Sequence, residues 1–332
     1  MKNRPPAIPQ AIAIVGLGSA GLKHYAAARK IFPKCRMLAL SRSRPLKEEI
    51  LYCQSVSEAL DASPDIAIIA SPAPYHLENA QPFIEAGVPT LIEKPMSVSG
   101  ADIQKFSTLQ SYSRIGVGYV LRQSKCVKAI KMKISDGAIG RVLYARLTVG
   151  LHLAGWRPSG DYRAGVSANM SLGGGALLEL SHELDLAQWF FGRCRLLQSR
   201  AVRLSSITND SEDYVEIMAT FADGIEVSIH LDMIARPGFR EGLIVGEKGQ
   251  IKYDLSAHPA YAVVSDGGSW QVLAEDTARL PELFERQLSA FVSEADFGDL
   301  ATFKDGRNIA TITDAARASA VERRAIEIVC PD

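Results

Sequence analysis

Ala11–Val15 is a short run of small and β-branched apolar residues. It ends in Gly16-Leu17-Gly18-Ser19-Ala20-Gly21, and a helical pattern follows from Leu22 to Phe32. No other stretch restricts the fold as much. Strand, G-x-G-x-x-G turn and helix in that order open a βαβ unit. Gly16 permits the tight turn, Gly18 lets the backbone approach a pyrophosphate, and Gly21 lets the helix lie close on the strand. The first helical turn, with Ser19 and Ala20, presents unbonded N–H groups and the positive dipole end to phosphates. A βαβ turn that binds nothing has the same outline. The position of the motif, early in the chain and after a clear strand, favours a dinucleotide.

The next residues repeat the pattern. Met37–Leu40, Ile66–Ala70, Thr90–Ile92 and Ile115–Gly118 read as buried strands. Between them lie a capped turn at Ser57–Leu60, a helix over Tyr75–Ala86 stopped by Gly87, and a helix over Gly100–Tyr112. This alternation predicts an α/β fold with an N-terminal Rossmann domain, a doubly wound parallel sheet. Ligands of such sheets sit outside the carboxyl ends of the strands, which puts Ser71, Pro72, His76, Glu93 and Lys94 on one rim with the glycine turn. At the tip of the second strand, Ser41-Arg42-Ser43-Arg44 lacks the acid that holds the ribose 2′-hydroxyl of NAD. An arginine there can accommodate a 2′-phosphate, so Ser41 and Arg42 favour NADP, with NAD still open. The alternative is that the arginines are simply exposed loop charges.

After Tyr119 the texture changes. A helix near Ser124–Ser135 precedes longer alternating segments at Arg141–Leu153, Arg195–Leu204, Tyr214–Phe221 and Ile225–Asp232. Asp223-Gly224 is a hairpin signal. Shorter strands are expected at Gly242–Val245, Ile251–Tyr253 and Trp270–Leu273, and helices at Leu280–Ala295 and Ile309–Glu327. The expectation is a C-terminal α+β domain with a large, mainly antiparallel open sheet. With 332 residues the chain exceeds what one core usually serves. The boundary is placed between 1–121 and 122–332, the last helix packing back on the first domain.

Charge and cysteine usage exclude several partners. Lys+Arg and Asp+Glu are equal at 37 each, which gives no attraction to nucleic acid or acidic membranes. The five cysteines are scattered without a C-x-x-C pair, which points to a reducing, cytoplasmic compartment and away from thiolate metal sites. No apolar run has the length of a membrane span, and Met1–Gln10 reads as a short extended arm.

Three groups of residues carry chemistry. Lys94, held between Glu93 and Pro95 at a strand end, can donate a hydrogen bond to a substrate oxygen or take part in proton transfer. An exposed lysine paired with Glu93 is the plainer reading. In a helix expected over 176–191, Glu179, His182 and Asp185 recur every third residue and share a surface. A histidine flanked by carboxylates suits proton exchange with a hydroxyl or carbonyl, although a solvated face or a cap network has the same spacing. Glu-x-x-His is also a metal-ligand spacing, but it occurs here without a second copy, and no metal is expected. In the loop before Gly173-Gly174-Gly175, Trp156 and Tyr162 can stack on a sugar, and Arg157 and Arg163 can hold a carboxylate or phosphate. Tyr119 and Arg122, at the domain junction, are further substrate candidates.

Taken together, Gly16–Gly21, His24, Ser71-Pro72 with His76, Glu93-Lys94-Pro95, Gly173–Gly175 and His182 with Asp185 resemble the Gfo/Idh/MocA family of NAD(P)-dependent oxidoreductases, over almost the whole chain. The resemblance implies a Rossmann domain, a C-terminal open sheet that often forms a homodimer or homotetramer interface, and Lys94 and His182 as the catalytic pair. The family carries aspartate four residues before the histidine, whereas Glu179 here stands three before His182. The stretch from Trp156 to Glu183 looks like a subgroup of bacterial surface-sugar biosynthesis. The function implied is hydride transfer between nicotinamide and a hydroxyl or ketone carbon of a sugar or nucleotide sugar. The alternative is a non-catalytic NAD(P)-binding sensor or oligomeric scaffold.

Overall fold

A computed structural model describes residues 5–45, 50–111, 114–156, 161–293 and 297–329. In chain order, β1 to β6 are Ala11–Val15, Arg36–Leu40, Ile50–Tyr52, Ile66–Ile69, Thr90–Ile92 and Ile115–Val117. Strands β7 to β11 are Val142–Gly150, Cys194–Val202, Tyr214–Phe221, Glu226–Asp232 and Phe239–Gly246. Strands β12 to β16 are Gln250–Asp254, Ala260–Ser265, Gln271–Asp276, Ala301–Thr302 and Ile326–Glu327. Helices α1 to α5 are Ser19–Ile31, Val56–Asp61, His76–Glu85, Gly100–Lys105 and Lys125–Ser135. Helices α6 to α9 are Ala176–Glu179, His182–Phe191, Leu280–Ser293 and Phe303–Glu322.

The chain divides into two compact units, Met1–Gln123 with Ala278–Arg307, and Ser124–Thr277 with Asn308–Asp332. This corrects the sequence expectation, which gave everything from 122 onward to the second domain and brought the last helix back. The returning element is α8. Its Leu288, Phe291 and Val292, with Leu300, are buried in one cluster with Ile12, Ile14, Ile68 and Leu91. The apolar demand of the first sheet is met partly from a segment distant in sequence, which strand–helix alternation alone does not reveal.

In the first unit the parallel strands run β6-β5-β4-β1-β2-β3, with β15 added antiparallel beside β6. The order reverses between β1 and β4, and this switch point is where doubly wound sheets hold ligands. Strands β1, β4 and β5 are buried along their whole length, which is why they read as unbroken apolar runs. Ser55 caps α2, its Oγ accepting from the Glu58 N–H at 3.1 Å. The helix expected over 100–112 ends earlier, at Lys105, and a 3₁₀ turn over Ser107–Ser111 follows.

The second unit is built on a nine-stranded sheet, ordered β14-β13-β12-β11-β7-β10-β9-β8-β16. All neighbours are antiparallel except β7 and β10, which run parallel. Alternation sends Ala145, Leu147, Val149, Val215, Ile217, Val227, Ile229 and Leu231 to the buried face. The β9–β10 turn is the Asp223-Gly224 hairpin, with φ of 57° and 72°. Several features differ from expectation. Strands β13 and β16 were not anticipated, and the helix expected over Ile309–Glu327 begins at Phe303 and ends at Glu322, so that Ile326–Glu327 joins the sheet edge instead.

Cys35, Cys53, Cys126 and Cys194 are buried and form no disulfide among the described residues, and burial pushes the Cys35 thiol up to about 11. Among the described residues no helix is long and apolar enough to cross a membrane.

Candidate active site

The glycine turn is built as its sequence requires. Gly16 has φ of +90°, and a Cβ there would lie 2.6 Å from the Ala70 carbonyl oxygen at the end of β4. A Cβ on Gly21 would fall 1.9 Å from the Gly16 oxygen. The two strand ends at the switch point and the start of α1 therefore meet through backbone alone. A Cβ on Gly18, by contrast, would enter open space. Helix α1 has no capping side chain and no acid in its first turn, and its first internal bond here is Leu22 N–H to the Gly18 oxygen at 2.9 Å. The N–H groups of Ser19, Ala20 and Gly21 thus lie at an uncapped positive helix end with room before it. That donor set fits a pyrophosphate.

Around this turn the rim is tied together by side chains. Ser41 Oγ accepts from the Leu17 N–H at 3.4 Å and lies 3.3 Å from Ser43 Oγ. Arg44 lies over the Tyr52 ring, centroid distance 5.0 Å, whereas Arg42 is exposed with no acidic partner among the described residues. Ser71 Oγ accepts from Asn79 Nδ2 at 2.9 Å. His76 is buried, with Nε2 2.6 Å from the Ser71 oxygen and Nδ1 2.9 Å from the Pro95 oxygen. Burial lowers its proton affinity against the pull of those carbonyls. His76 was expected among the cofactor contacts; its ring nitrogens instead fix the backbone beside Pro72 and after Lys94.

Glu93 plays a similar part. Its Oε1 lies 2.7 Å from His24 Nε2, and Oε2 accepts from the Lys94 N–H at 3.1 Å. Burial pushes the Glu93 carboxyl up, but the His24 hydrogen bond and charge, with Lys94 and His76, hold it below the usual range. Lys94 is half-buried just beyond the end of β5, its backbone held by this Glu93 contact. Tyr119 and Arg122, expected as substrate contacts, are 1% and 2% exposed, and Arg122 faces Asp305 at 3.5 Å within the packing of the first unit.

In the second unit the single helix expected over 176–191 is two helices, α6 and α7. Ser181 Oγ donates to the Leu178 oxygen at 2.9 Å, and Ser181 and Glu183 N–H groups bond three residues back. A serine that competes for the backbone tightens the chain into such a turn. His182 therefore starts α7, half-buried, while Glu179 closes α6 and accepts from Ser167 Oγ at 3.0 Å. Asp185 is buried in the first turn of α7.

Two residues not anticipated from the sequence hold this region. Buried Glu183 accepts from Arg240 Nε at 2.7 Å. Glu212 Oε1 accepts from the Leu177 N–H at 3.1 Å, and Gly175, with φ of +103°, stands where a Cβ would be 2.5 Å from that same oxygen. The triple glycine was the available signal that something presses on the start of α6.

Trp156 is half-buried, and its indole N–H is enclosed without an acceptor among the described residues. Tyr162 and Arg163 share a short 3₁₀ turn capped by Asp161. Arg157 lies outside the described residues.

The order of the first sheet and its glycine cradle define a Rossmann-type nucleotide-binding unit. Comparison with known proteins agrees. Residues 11–114 match the model of the oxidoreductase family with NAD-binding Rossmann fold. Residues 127–252 match the GFO/IDH/MocA C-terminal domain. The two models together span more than half of the chain, and the protein belongs to the Gfo/Idh/MocA family of oxidoreductases. Among its relatives is an inositol 2-dehydrogenase of Streptomyces avermitilis, 25% identical over 310 residues, covering 87% of this chain and 85% of the relative. Another is the rhizopine catabolism protein MocA of Rhizobium meliloti, 24% identical over 240 residues, with 68% and 72% coverage. A solved structure of levoglucosan dehydrogenase with NADH and L-sorbose matches the fold with a TM-score of 0.83 at 20% identity, covering 100% of both chains.

Proposed function

We propose that this protein oxidises a secondary hydroxyl of a sugar or cyclic polyol, or reduces the matching ketone. The observation that carries this reading is the uncapped glycine cradle at the sheet's switch point, with the Lys94 backbone tied to Glu93 at a strand end of the same rim. A nicotinamide dinucleotide, held there by Gly16–Gly21, Ser41, Ser71 and Pro72, supplies the hydride acceptor or donor. Lys94 donates a hydrogen bond to the substrate oxygen and polarises the C–O bond. His182 exchanges the hydroxyl proton, supported by Glu179 and Asp185. Trp156, Tyr162 and Arg163, with Arg157, hold the substrate. Relatives named as inositol dehydrogenases support a free polyol ring over a nucleotide-linked sugar. The chain assembles as a homodimer or homotetramer through the open face of the nine-stranded sheet, where Met218 and Val272 are 60% and 68% exposed.

Lys94→Ala and His182→Ala are each expected to lower kcat/KM for the preferred polyol by a factor of roughly 10²–10⁴. Cofactor affinity, read by titration with NADH or NADPH, stays near wild type. Unchanged turnover in both variants removes the assignment. Exposed Arg42 is the residue that favours NADP over NAD. Arg42→Ala should therefore weaken NADP binding by about tenfold, the worth of one charge-assisted contact, and leave NAD binding unaltered. Equal effects on both cofactors would refute the preference.

A further inference from the structure

The second unit has a cleft of about 440 Å³, whose walls include His152, Tyr162, Arg163, Ser206, Ile234 and Arg236. That volume is in the range of small-ligand sites. Two guanidinium groups face it in a protein of net charge zero, so the local positive charge does not follow from composition.

What holds these cations is the informative part. Arg163 donates from Nη2 to the Ser206 oxygen at 2.9 Å and from Nε to Tyr162 Oη at 3.4 Å. Arg236 donates from Nη2 to His152 Nε2. A guanidinium has only donors, so His152 Nε2 is the acceptor of this pair, and burial together with the Arg236 charge lowers the proton affinity of His152. The hydrogen bonds of each guanidinium thus run to Ser206, Tyr162 and His152 acceptors, while the Asp161 carboxylate acts on Arg163 through its charge.

The nearby carboxylates are engaged by other groups. Asp161 Oδ1 accepts from the Arg163 backbone N–H at 3.0 Å. Buried Asp213 accepts from Leu204 N–H, Ser205 N–H and Ser205 Oγ at 2.7, 2.9 and 2.6 Å, fixing the wall at 205–207. Asp232 Oδ1 accepts from the Ile234 and Ala235 N–H groups at 2.7 and 2.6 Å, fixing the loop that carries Arg236. The acids shape the walls, and among the described residues N–H donors of both arginines remain for an acceptor with the geometry of a carboxylate or phosphate. The Tyr162 ring, Ile207 and Ile234 offer apolar surface for ring carbons.

We infer that this cleft is an acid-recognition subsite that binds the carboxylate or phosphate group of a negatively charged sugar. The inference deepens the proposed function and rests on its sugar-type substrate; His152, Arg236, Ser205 and Ser206 have no part in the catalytic assignment above.

The test is calorimetric titration of the full-length protein, with and without NADH, using glucuronate, glucose 6-phosphate and glucose. At least one acidic sugar is expected to bind about tenfold or more tightly than glucose, with the advantage shrinking as salt rises. Tighter binding of glucuronate identifies a carboxylate site, and tighter binding of glucose 6-phosphate a phosphate site. Arg236→Gln should remove that advantage, Arg236→Lys should keep part of it, and NADH affinity should be unchanged in both as a check on folding. If Arg236→Gln fails to fold, the salt dependence of the wild type and the Arg236→Lys affinity decide. Equal affinity for all three sugars, or Arg236→Gln and Arg163→Gln variants with wild-type affinity for the acidic sugars, overturns the inference. The titration needs no turnover, so failure of the subsite and failure of the dehydrogenase reading are told apart.

Discussion

At the scale of single residues, the rim of the first sheet depends on positions where one atom more is too many. Gly16 is the clearest case. Gly16→Ala adds a Cβ 2.6 Å from the Ala70 oxygen at a φ of +90° that L side chains rarely adopt. The expected cost is of the order of 1–3 kcal/mol in chemical denaturation, together with a fall in NADH affinity. A Gly16→Ala variant with both properties intact contradicts the described turn. The strand-end places of Gly16 and Lys94 were legible because a glycine turn and a strand-end lysine declare themselves in linear order. The roles of His76 and Glu93 were not. Both lie on the rim as expected, but their polar atoms are directed at Ser71, Pro95, His24 and Lys94 backbone or side-chain atoms, partners up to 69 positions away.

At the scale of elements, the second unit holds α7 and its sheet with charge pairs whose partners are far apart in sequence. Glu183 is 1% exposed and meets Arg240 of β11. Removing one member of a buried pair leaves the other uncompensated, so Glu183→Leu should destabilise by about 3–5 kcal/mol in denaturant. A loss below about 1 kcal/mol, the range of exposed pairs, would mean that the pair is solvated.

On β10, His230 bridges Glu216 at 2.6 Å and Asp232 at 2.9 Å. Asp232 and then Glu216 raise its proton affinity, against burial, above the ordinary value of 6.5. Its folded-state pKa is therefore raised, so its stabilisation is complete below about pH 6.5 and fades as pH climbs through the higher folded value. The wild type should exceed His230→Gln in Tm at about pH 5.5, and the gap should narrow by about pH 9. A gap that widens with pH reverses the sign.

Elements were read from sequence where a local rule decides. The span of β9 and the Asp223-Gly224 hairpin followed from alternation and turn chemistry. The early start of α9 also had a local signal that was passed over. Thr302 N–H donates to Asp305 Oδ2 at 2.7 Å, and Asp305 N–H donates to Thr302 Oγ1 at 3.3 Å, a capping box written as Thr-x-x-Asp. The α6–α7 break was obscured because leucine-rich helical periodicity runs through Ser181, whose hydroxyl bonds backward.

At the scale of the whole molecule, two sheets of different construction are assembled from interleaved chain segments. The parallel sheet states its function in linear order, because its ligand-binding turns follow its strands directly. The antiparallel sheet's cleft is assembled from segments near 152, 163, 206 and 236, and no spacing in the sequence joins them.

We propose that these parts together perform hydride chemistry on a hydroxyl-bearing carbon, and one assay tests this directly. The nicotinamide absorbance is followed while the purified protein, with NADP or NAD, meets a panel of cyclic polyols and sugars that includes myo-inositol and acidic sugars. Reduction of the cofactor is expected with at least one of them, lost in Lys94→Ala and in His182→Ala while both variants still bind NADH. Cofactor binding with no turnover across the panel in either direction, or turnover that survives both substitutions, contradicts it.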